Sequence, residues 1–461
     1  MLSALFALLL AANVTYHSPV DYEILLAGNF GEPRPHHFHG GIDVKTEGRE
    51  GKHIYSIGDG YVSRISVGIN GFGNAVYVSH PEGYTSIYCH LKRFSPRIQR
   101  AWDEWKEKNG RKEGEVKFKP TELPVAQGQL IALSGNTGFS TAPHLHLEIH
   151  DTRTWNMRDP LIFLGHLISD NTPPQAHGFN AYPQEGEGVF NGSSNKQTFG
   201  FSSHELTNTF RAWGKVGFAL WADDYMEGTH NHFGIRETHL IVDGRSVFHS
   251  NVDGIPTSQN RMVNSWGDYR HWRTRKVWYM KSFIEPGNRL PILMADENRG
   301  IIDFNEERDY QIEYQLSDYF GNVSIYRFTV RGERCDIPKA KPRDPLLTMR
   351  WNRTNTFSRP GMQLVVRPGL LGDDMELEPT VREQMDKLSP AYTFASFSTP
   401  LFDWAEISIA PRRPVADPSK LYITDSRGHN LGGTYKDGWV TGRMRDLGET
   451  YQLAYDDNTT N

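Results

Sequence analysis

The sequence predicts a mainly β fold, in which an antiparallel β-sheet domain with a helical insertion is followed by β-sandwich domains. Aromatic residues make up 12% of the 461 residues, and 43 glycines supply turn positions. Short stretches of alternating apolar residues recur along the chain and are separated by Gly, Asp, Asn and Pro, as is typical of strands joined by turns. A chain of this length exceeds what one core supports, so it should divide into several domains.

Composition excludes two classes of protein. Charged residues make up 23% and the formal net charge is −5, so a broad basic face for nucleic acid is not expected. The negative mean hydropathy excludes a polytopic membrane protein. Cys89 and Cys335 are the two cysteines of the chain, and neither lies in a CxxC pair, so no disulfide framework is predicted. We interpret Cys89 as a small buried strand residue rather than as a nucleophile.

The N-terminus, "MLSALFALLLAANVTYHS", predicts a signal segment at residues 1–12. Its apolar run is shorter than the roughly 20 residues that span a bilayer, so no integral membrane segment is expected. The absence of a preceding Lys or Arg and of a clean A-x-A site argues for the alternative, a buried first strand or helix. The favoured interpretation is export to the periplasm, the extracellular space or the cell envelope.

A helical signal interrupts the β-rich residues 20–165 at an insertion that spans residues 95–120. In "SPRIQRAWDEWKEKNG", Ser95 is a candidate N-cap, Pro96 suits the first turn and Gly110 follows the end. One apolar stripe is formed by Ile98, Trp102 and Trp105. A solvated flap packed by the tryptophans is favoured over a segment that grips a substrate.

The rest of the chain is predicted to form a β-sandwich at residues 171–334, a Pro- and Lys-rich linker at 335–345 and a second β-rich domain at 346–461. The sequence does not distinguish the immunoglobulin type from other sandwiches. Several tryptophans of the sandwich suit core packing better than stacking on sugars, namely Trp213, Trp221, Trp266, Trp272 and Trp278.

Two segments combine the residue types of a catalytic metal site. In "HFHGGID", His39 and Asp43 flank two flexible glycines, and in "PHLHLEIH" His144 and His146 point to the same face of a strand. His39, Asp43 and His146 offer two nitrogens and one oxygen, and three protein ligands plus a water are the composition of a catalytic zinc site. We therefore expect about one Zn²⁺ per chain, which would activate the water.

A further histidine, His90 in "YCHL", lies in sequence between these two segments. With His144 it forms a pair that could serve as general base and as stabiliser of the tetrahedral intermediate. The chain contains no HExxH sequence, which excludes a thermolysin-like helix with a glutamate base.

Taken in order, "HFHGGID", "GDGYV", "GNAVYVSH", "YCHL" and "SGNTGFSTAPHLHLEI" resemble the lysostaphin/LytM-type zinc metallopeptidases of family M23. The resemblance covers roughly residues 25–165. It implies a small LytM-like antiparallel β-sheet with a groove across it and cleavage of peptides in bacterial peptidoglycan. It also matches His39, Asp43 and His146 to the family's zinc ligands, and His90 and His144 to its catalytic histidines.

Other polar residues near these segments have alternative roles. Arg34 could pair with a substrate carboxylate or be an ordinary loop arginine, and Glu148 could orient the ligand His146 or be a solvated edge residue. His36 and His37 are expected to line the groove or the surface. Surface positions are predicted for His53, His80 and His150.

The leading hypothesis is a zinc-dependent endopeptidase that hydrolyses peptide bonds of bacterial cell-wall peptidoglycan by a metal-activated water. The alternative is a non-catalytic groove domain that binds peptidoglycan or activates a partner hydrolase. A third hypothesis keeps the enzyme but gives it secreted proteins with glycine-rich segments as substrate. For the C-terminal β domains, binding to the wall, docking to a protein partner and spacing of the catalytic domain all stay open.

Overall fold

The computed structural model describes residues 14–68 and 71–457, and the predicted signal segment, residues 1–12, lies outside them. The strands form an N-terminal unit (residues 14–170), a middle unit (171–334) and a C-terminal unit (346–457). Strands greatly outnumber helices, so the prediction of a mainly β chain is confirmed. Within the described ranges, every helix is too short or too polar to cross a bilayer.

The N-terminal unit is built on one antiparallel sheet in the order β1-β4-β13-β8-β7-β6-β10, with β5, β12 and β9 in a small second sheet. Its helical elements are α1 (Pro96–Asn109), α2 (Leu161–Leu164) and a 3₁₀ turn (Gly165–Leu167). Its strands are β1 (Leu26–Gly28), β2 (Pro33–Arg34), β3 (His37–Phe38), β4 (Gly41–Lys45), β5 (His53–Tyr55), β6 (Gly60–Val67), β7 (Asn74–Ser79), β8 (Tyr84–Cys89), β9 (Arg93–Phe94), β10 (Gly114–Lys117), β11 (Pro124–Val125), β12 (Leu130–Leu133), β13 (His144–Asp151) and β14 (Met157–Arg158).

The central strands of this sheet are buried on both faces. Val76, Tyr88 and Leu147 belong to the main core of the unit. On the opposite face Ile87 and Cys89 form a smaller apolar cluster beneath the candidate site. Successive strand residues alternate between faces, so one strand contributes to both layers. The prediction of a buried Cys89 in a strand is confirmed.

The insertion contains the predicted helix, α1, followed by the edge strand β10 that pairs with β6. Trp102 is buried and its ring stacks on Trp105 at 5.0 Å between centres. Gly110 ends the helix in the left-handed conformation, with φ of 62°. The prediction that Ser95 caps the helix is wrong for its side chain, which makes no capping bond. Pro96 has no N–H to satisfy at the first turn, so less capping is required there.

The middle unit is a ten-stranded sheet with the order β16-β15-β17-β25-β24-β18-β19-β22, to which β21 and β23 add beside β17. Phe179 stacks on Phe328 at 4.4 Å in its core. Its strands are β15 (Gln175–Phe190), β16 (Gln197–Gly200), β17 (Glu205–Asp223), β18 (Glu237–Val242), β19 (Arg245–Asn251), β20 (Gly254–Ile255), β21 (Met280–Lys281), β22 (Leu293–Ala295), β23 (Ile302–Phe304), β24 (Asp309–Ser317) and β25 (Val323–Gly332). A helical stretch that sequence analysis did not predict comprises a 3₁₀ helix (Thr257–Met262), α3 (Val263–Trp266) and α4 (Tyr269–Arg275).

The C-terminal unit has a five-stranded sheet, β27-β28-β32-β35-β34, and a four-stranded sheet, β30-β31-β36-β33. Residues 335–345, which precede it, contain neither strand nor helix. Its elements are β26 (Thr348–Met349), β27 (Asn355–Arg359), β28 (Met362–Val366), β29 (Met375–Glu376), β30 (Thr380–Arg382), β31 (Ala391–Thr393), β32 (Pro400–Ile409), a 3₁₀ turn (Pro418–Lys420), β33 (Leu421–Asp425), β34 (Thr434–Lys436), β35 (Trp439–Asp446) and β36 (Tyr451–Tyr455).

Strand pairing, core packing and a hydrogen bond join the units, in addition to the chain connections between them. Strand β14 of the N-terminal unit pairs with β20 of the middle unit, Met157 opposite Ile255. Phe38 of the N-terminal unit belongs to the core cluster of the middle unit. Arg261 Nε donates a hydrogen bond of 2.9 Å to the carbonyl of Leu401 in the C-terminal unit. Neighbouring units therefore pack against each other at the predicted domain boundaries, and the boundaries themselves stay a prediction.

Candidate active site

Three of the sequence-predicted residues meet on neighbouring strands of the N-terminal sheet. Asp43 on β4 lies directly opposite His146 on β13, and His39 reaches the same point from the loop before β4. His146 Nδ1 lies 2.8 Å from Asp43 Oδ1, and His39 Nε2 lies 3.0 Å from Asp43 Oδ1 and 3.1 Å from His146 Nδ1. One potential ligand atom from each residue thus lies within 4.8 Å of the other two.

The glycines of "HFHGGID" allow this convergence because they let β4 approach β13 closely. A Cβ atom at Gly41 would lie 2.1 Å from the carbonyl oxygen of Leu147, well inside contact distance. A Cβ atom at Gly40 would lie 2.7 Å from Glu148 Oε1. A larger side chain at either position would push apart the two strands that present the site.

Hydrogen bonds on the far side of each imidazole orient its lone pair. His39 Nδ1 donates to the carbonyl of Asn29 at 2.6 Å, and His146 Nε2 donates to Glu148 Oε1 at 2.8 Å. The inner nitrogens are then unprotonated and face Asp43 Oδ1, so three acceptors point at one another without a proton between them. A cation among them removes this repulsion.

The spacing of these three atoms suits zinc. Ligands at Zn–N distances of 2.0–2.1 Å around a tetrahedral ion lie about 3.3 Å apart, close to the 2.8–3.1 Å found between these atoms. A set of two imidazoles and one carboxylate is also a zinc donor set. The three residues therefore fit the metal that the sequence predicts.

Both carboxylates of the site are anionic. Burial alone raises the pKa of Asp43, but the neighbouring imidazoles of His39, His144 and His146 hold it well below its usual range. Burial likewise raises the pKa of Glu148, and hydrogen bonds from His146 and His150 more than offset that effect, so the pKa lies below its usual range. The pocket therefore presents negative charge to a cation.

His90 and His144 lie side by side next to this cluster, with ring centres 4.8 Å apart. His90 Nδ1 donates to the carbonyl of Thr137 at 2.7 Å, and His144 Nδ1 donates to the carbonyl of Ala142 at 2.8 Å. These bonds leave Nε2 of each ring as the acceptor. Burial lowers the pKa of His90 to about 4, and His144 Nε2 lies 3.4 Å from Asp43 Oδ1.

A cleft of about 690 Å³ opens over these residues. Both structural units line it, because Thr257 and Asn260 of the middle unit complete one wall. Asn260 Oδ1 accepts a hydrogen bond of 2.7 Å from the Phe38 backbone N–H, which secures this wall to the N-terminal unit. Among the described residues, the lining includes none from the insertion at 95–120. This supports the interpretation of the insertion as a packed flap.

Arg34 lies at the edge of the cleft and faces carboxylates of the protein itself. Its Nη2 is 3.7 Å from Asp43 Oδ2 and 3.6 Å from Glu32 Oε2, and its side chain is 40% exposed. Glu32 Oε1 in turn accepts a hydrogen bond of 2.8 Å from Asn29 N–H. Arg34 therefore adds positive charge beside Asp43 and leaves part of its guanidinium open to the cleft.

The surface predictions for the other histidines hold only in part. His53 is exposed, as expected. The prediction is wrong for His150, which is buried and bonds to Glu148 Oε2 at 2.6 Å, and for His80, which is buried between the Asp59 carbonyl and Ser86 Oγ. Both nitrogens of His80 find polar partners inside the unit, whereas in His150 only Nε2 does and Nδ1 is buried without a hydrogen bond.

The two histidines before His39, His36 and His37, point to different parts of the structure. His37 is exposed and lines the cleft, in agreement with the prediction. His36 has φ of 74° and turns away, so that its ring packs on Tyr269 and accepts a hydrogen bond of 3.1 Å from Asn264 Nδ2. His36 is thus a contact between units rather than a groove residue, and burial lowers its pKa to about 4.

Sequence reasoning missed several supporting groups. The carbonyls of Asn29 and Thr137 orient His39 and His90, but a backbone acceptor has no residue-type signature. Glu32 offered a weak signal as an acidic residue beside Arg34 in "GEPRP". Thr257 and Asn260 lie more than 200 residues after His39, and nothing in a single sequence places them at the cleft.

The tryptophans of the middle unit only partly follow the core prediction. Trp266 is buried, whereas Trp213, Trp221, Trp272 and Trp278 are half-buried. Trp272 and Trp278 stack on each other at 5.4 Å between ring centres.

Comparisons with known proteins agree with this geometry. Residues 37–101 match the model of "Peptidase family M23", and residues 347–456 match that of a "Zu5-like domain". An uncharacterized metalloprotease of Haemophilus influenzae is 32% identical over 120 residues, which are 26% of this chain and 19% of that protein. Peptidoglycan DD-endopeptidase ShyC of Vibrio cholerae is 32% identical over 137 residues, 28% of this chain and 25% of that protein.

Each match covers about a quarter of the relative's length or less. Among solved structures, the catalytic domain of lysostaphin from Staphylococcus simulans is 23% identical with a TM-score of 0.24, covering 32% of this chain and 93% of that chain. The family-model match spans His39, Asp43 and His90. This part of the N-terminal unit is therefore similar to peptidase family M23.

Proposed function

We propose that this protein is a zinc-dependent endopeptidase that acts in the cell envelope or outside the cell and hydrolyses peptide bonds of bacterial peptidoglycan. The observation that carries the proposal is the convergence of His39 Nε2, Asp43 Oδ1 and His146 Nδ1 beside a second pair of histidines in an open cleft. His39, Asp43 and His146 would hold the ion. When bound, zinc lowers the pKa of a water molecule and polarises the carbonyl of the scissile bond.

The chain's own residues supply the proton transfers. Nε2 of His90 or His144 is an acceptor at the cleft and takes the proton of the attacking water, because its Nδ1–H is already bonded to a backbone carbonyl. With ring centres 4.8 Å apart, the two imidazoles repel each other when both are charged, so one holds the proton at a time. The protonated ring then donates to the carbonyl oxygen or to the leaving amine.

The lining of the cleft suits a peptide with a free carboxylate. Arg34 presents a half-exposed guanidinium at one edge, and Arg binds carboxylates through two parallel hydrogen bonds. Phe139 is 89% exposed at the rim and offers an apolar contact. The relatives ShyA and ShyC of Vibrio cholerae are named peptidoglycan DD-endopeptidases, which supports peptidoglycan peptides as the substrate.

The test is to incubate the zinc-loaded chain with purified peptidoglycan and to measure new amine ends. His90→Ala and His144→Ala should each lower the rate by about 10²–10⁴-fold while zinc content is retained. His53→Ala removes an exposed histidine and serves as the control, with an unchanged rate. A zinc-loaded chain that sediments with peptidoglycan but releases no amine ends would overturn the proposal in favour of a binding groove.

A further inference from the structure

Three buried aspartates that do not line the cleft come together where the N-terminal unit passes into the middle unit. Asp170 lies in the connection between the units, Asp224 follows β17, and Asp318 follows β24. One carboxylate oxygen of each lies within 4.8 Å of those of the other two. Each residue is at most 7% exposed. Three acidic groups from separate segments therefore share one enclosed site.

Part of this oxygen cluster is unsatisfied. Asp170 Oδ2 and Asp224 Oδ1 are buried and accept no hydrogen bond from any described group. The oxygens of Asp318 are bonded to the backbone N–H and side-chain amide of Asn322, at 2.9 and 2.7 Å. Buried carboxylate oxygens without partners are costly, so two in one cluster indicate a missing positive partner.

The described residues supply no such partner: no Lys, Arg or His among them makes an ion pair with Asp170, Asp224 or Asp318. Arg236, which lines a small cavity together with Asp224, is paired with Asp159 instead. Burial, reinforced by the charges of Asp318 and Asp170, raises the pKa of Asp224 to about 8. Without a cation, the cluster is therefore accommodated only by holding Asp224 protonated, which costs stability.

We propose that Asp170, Asp224 and Asp318 form a calcium-binding site that ties the middle unit to the N-terminal unit. An all-oxygen donor set with several carboxylates suits a hard cation, and an enclosed protein site suits Ca²⁺ better than Mg²⁺, which gives up its water reluctantly. This site is independent of the candidate zinc site, which has nitrogen donors.

The surroundings explain what the ion would stabilise. Asn322 Nδ2 also donates to the backbone carbonyl of Asp170 at 3.0 Å, so the β24–β25 turn already holds the connection between units. Tyr319 on the same turn lies against Gly165, where an added Cβ would come within 2.2 Å of its ring. Calcium at this point would fix the connection, the end of β17 and the turn to one another.

The experiment titrates CaCl₂ alone into the full, zinc-loaded chain by calorimetry and follows Tm in parallel. The proposal expects about one Ca²⁺ per chain and a rise in Tm, with a smaller rise for MgCl₂ at the same concentration. Asp224→Asn should lose calcium binding and the calcium-dependent rise. In calcium-free buffer it should have a higher Tm than the parent, because the amide is neutral without having to take up a proton on folding.

Glu227→Gln is the matched control, since it removes an exposed negative charge from the same loop, and it should bind calcium like the parent. If the three carboxyl groups share a proton instead, calcium leaves the Tm of the parent unchanged and no binding heat is seen, which overturns the proposal. Calcium binding that persists in Asp224→Asn places the ion elsewhere and also overturns it. The parent titration still tests whether calcium binds and raises Tm even if Asp224→Asn does not fold.

Discussion

Glu148 Oε1 lies 2.8 Å from His146 Nε2, on the side of the imidazole opposite the candidate metal position. The carboxylate is buried and its other oxygen bonds to His150 Nε2 at 2.6 Å. This arrangement fixes the tautomer of His146 and increases the basicity of Nδ1, the atom that faces Asp43. Glu148 therefore acts through His146, as a positioning residue.

Glu148→Gln should weaken zinc binding by roughly 10–100-fold, because the amide oxygen still accepts the hydrogen bond of His146 but without a negative charge. The measurement is zinc affinity in competition with a chelator. Glu107→Gln, which changes an exposed residue of α1, is the control and should leave zinc affinity unchanged. Equal zinc affinity for Glu148→Gln and the parent would contradict the role given to Glu148.

Arg34→Ala should raise KM for peptides with a free carboxylate and leave zinc content unchanged. The guanidinium is 40% exposed, so its attraction to Asp43 at 3.7 Å is screened by solvent, whereas a bound carboxylate would be held directly. Kinetics on a peptide and on its C-terminal amide separate the two effects, since only the free acid should lose affinity. Loss of zinc in this variant would assign Arg34 to the metal site instead.

Trp102→Ala tests whether the insertion at residues 95–120 stabilises the fold without contacting the substrate. Trp102 is buried beneath the N-terminal sheet, so its truncation should lower stability by about 3–5 kcal/mol. The described lining of the cleft contains no residue of the insertion, so kcat/KM at a temperature where the variant is folded should stay within about twofold of the parent. A large fall in kcat/KM without a change in Tm would mean that the insertion contacts the substrate.

The ion pair of Arg236 with Asp159 joins the middle unit to the N-terminal unit. Arg236→Met should lower stability by about 3–5 kcal/mol, because it leaves the buried carboxylate of Asp159 unpaired. The double variant with Asp159→Asn should recover part of this loss in a thermal unfolding measurement.

Arg245→Met is the control for that ion pair, since Arg245 and its partner Glu297 are each 69% exposed and a surface pair contributes about 0–1 kcal/mol. Equal Tm values for Arg236→Met and Arg245→Met would show that the buried ion pair between the units contributes no more to stability than a surface pair.

The convergence of the candidate residues could be anticipated from the sequence because its information is local. His144 and His146 alternate on one strand, and two glycines carry His39 and Asp43 to the same point, while the roles of these residues stay a prediction. The mistakes concern burial, which depends on tertiary partners. His150 looked like a strand-end surface residue, yet it is buried and its Nε2 bonds to Glu148 inside the unit.

The contacts between units could not be predicted from the sequence either, because they also depend on tertiary partners. Asn260 becomes part of the cleft because a helical stretch of the middle unit packs on Phe38, and only the folded chain brings these residues together. The three aspartates of the proposed calcium site are separated by 54 and 94 residues in sequence and follow no metal-binding motif. Their relationship exists only in three dimensions.

The measurement that tests the central claim most directly is zinc titration into metal-free protein, with zinc content and release of amine ends from peptidoglycan followed in the same samples. The account predicts that cleavage rises with zinc up to about one ion per chain and stops there. His146→Ala should show neither tight zinc binding nor cleavage. Cleavage by the metal-free parent, or full cleavage by His146→Ala, would contradict the account.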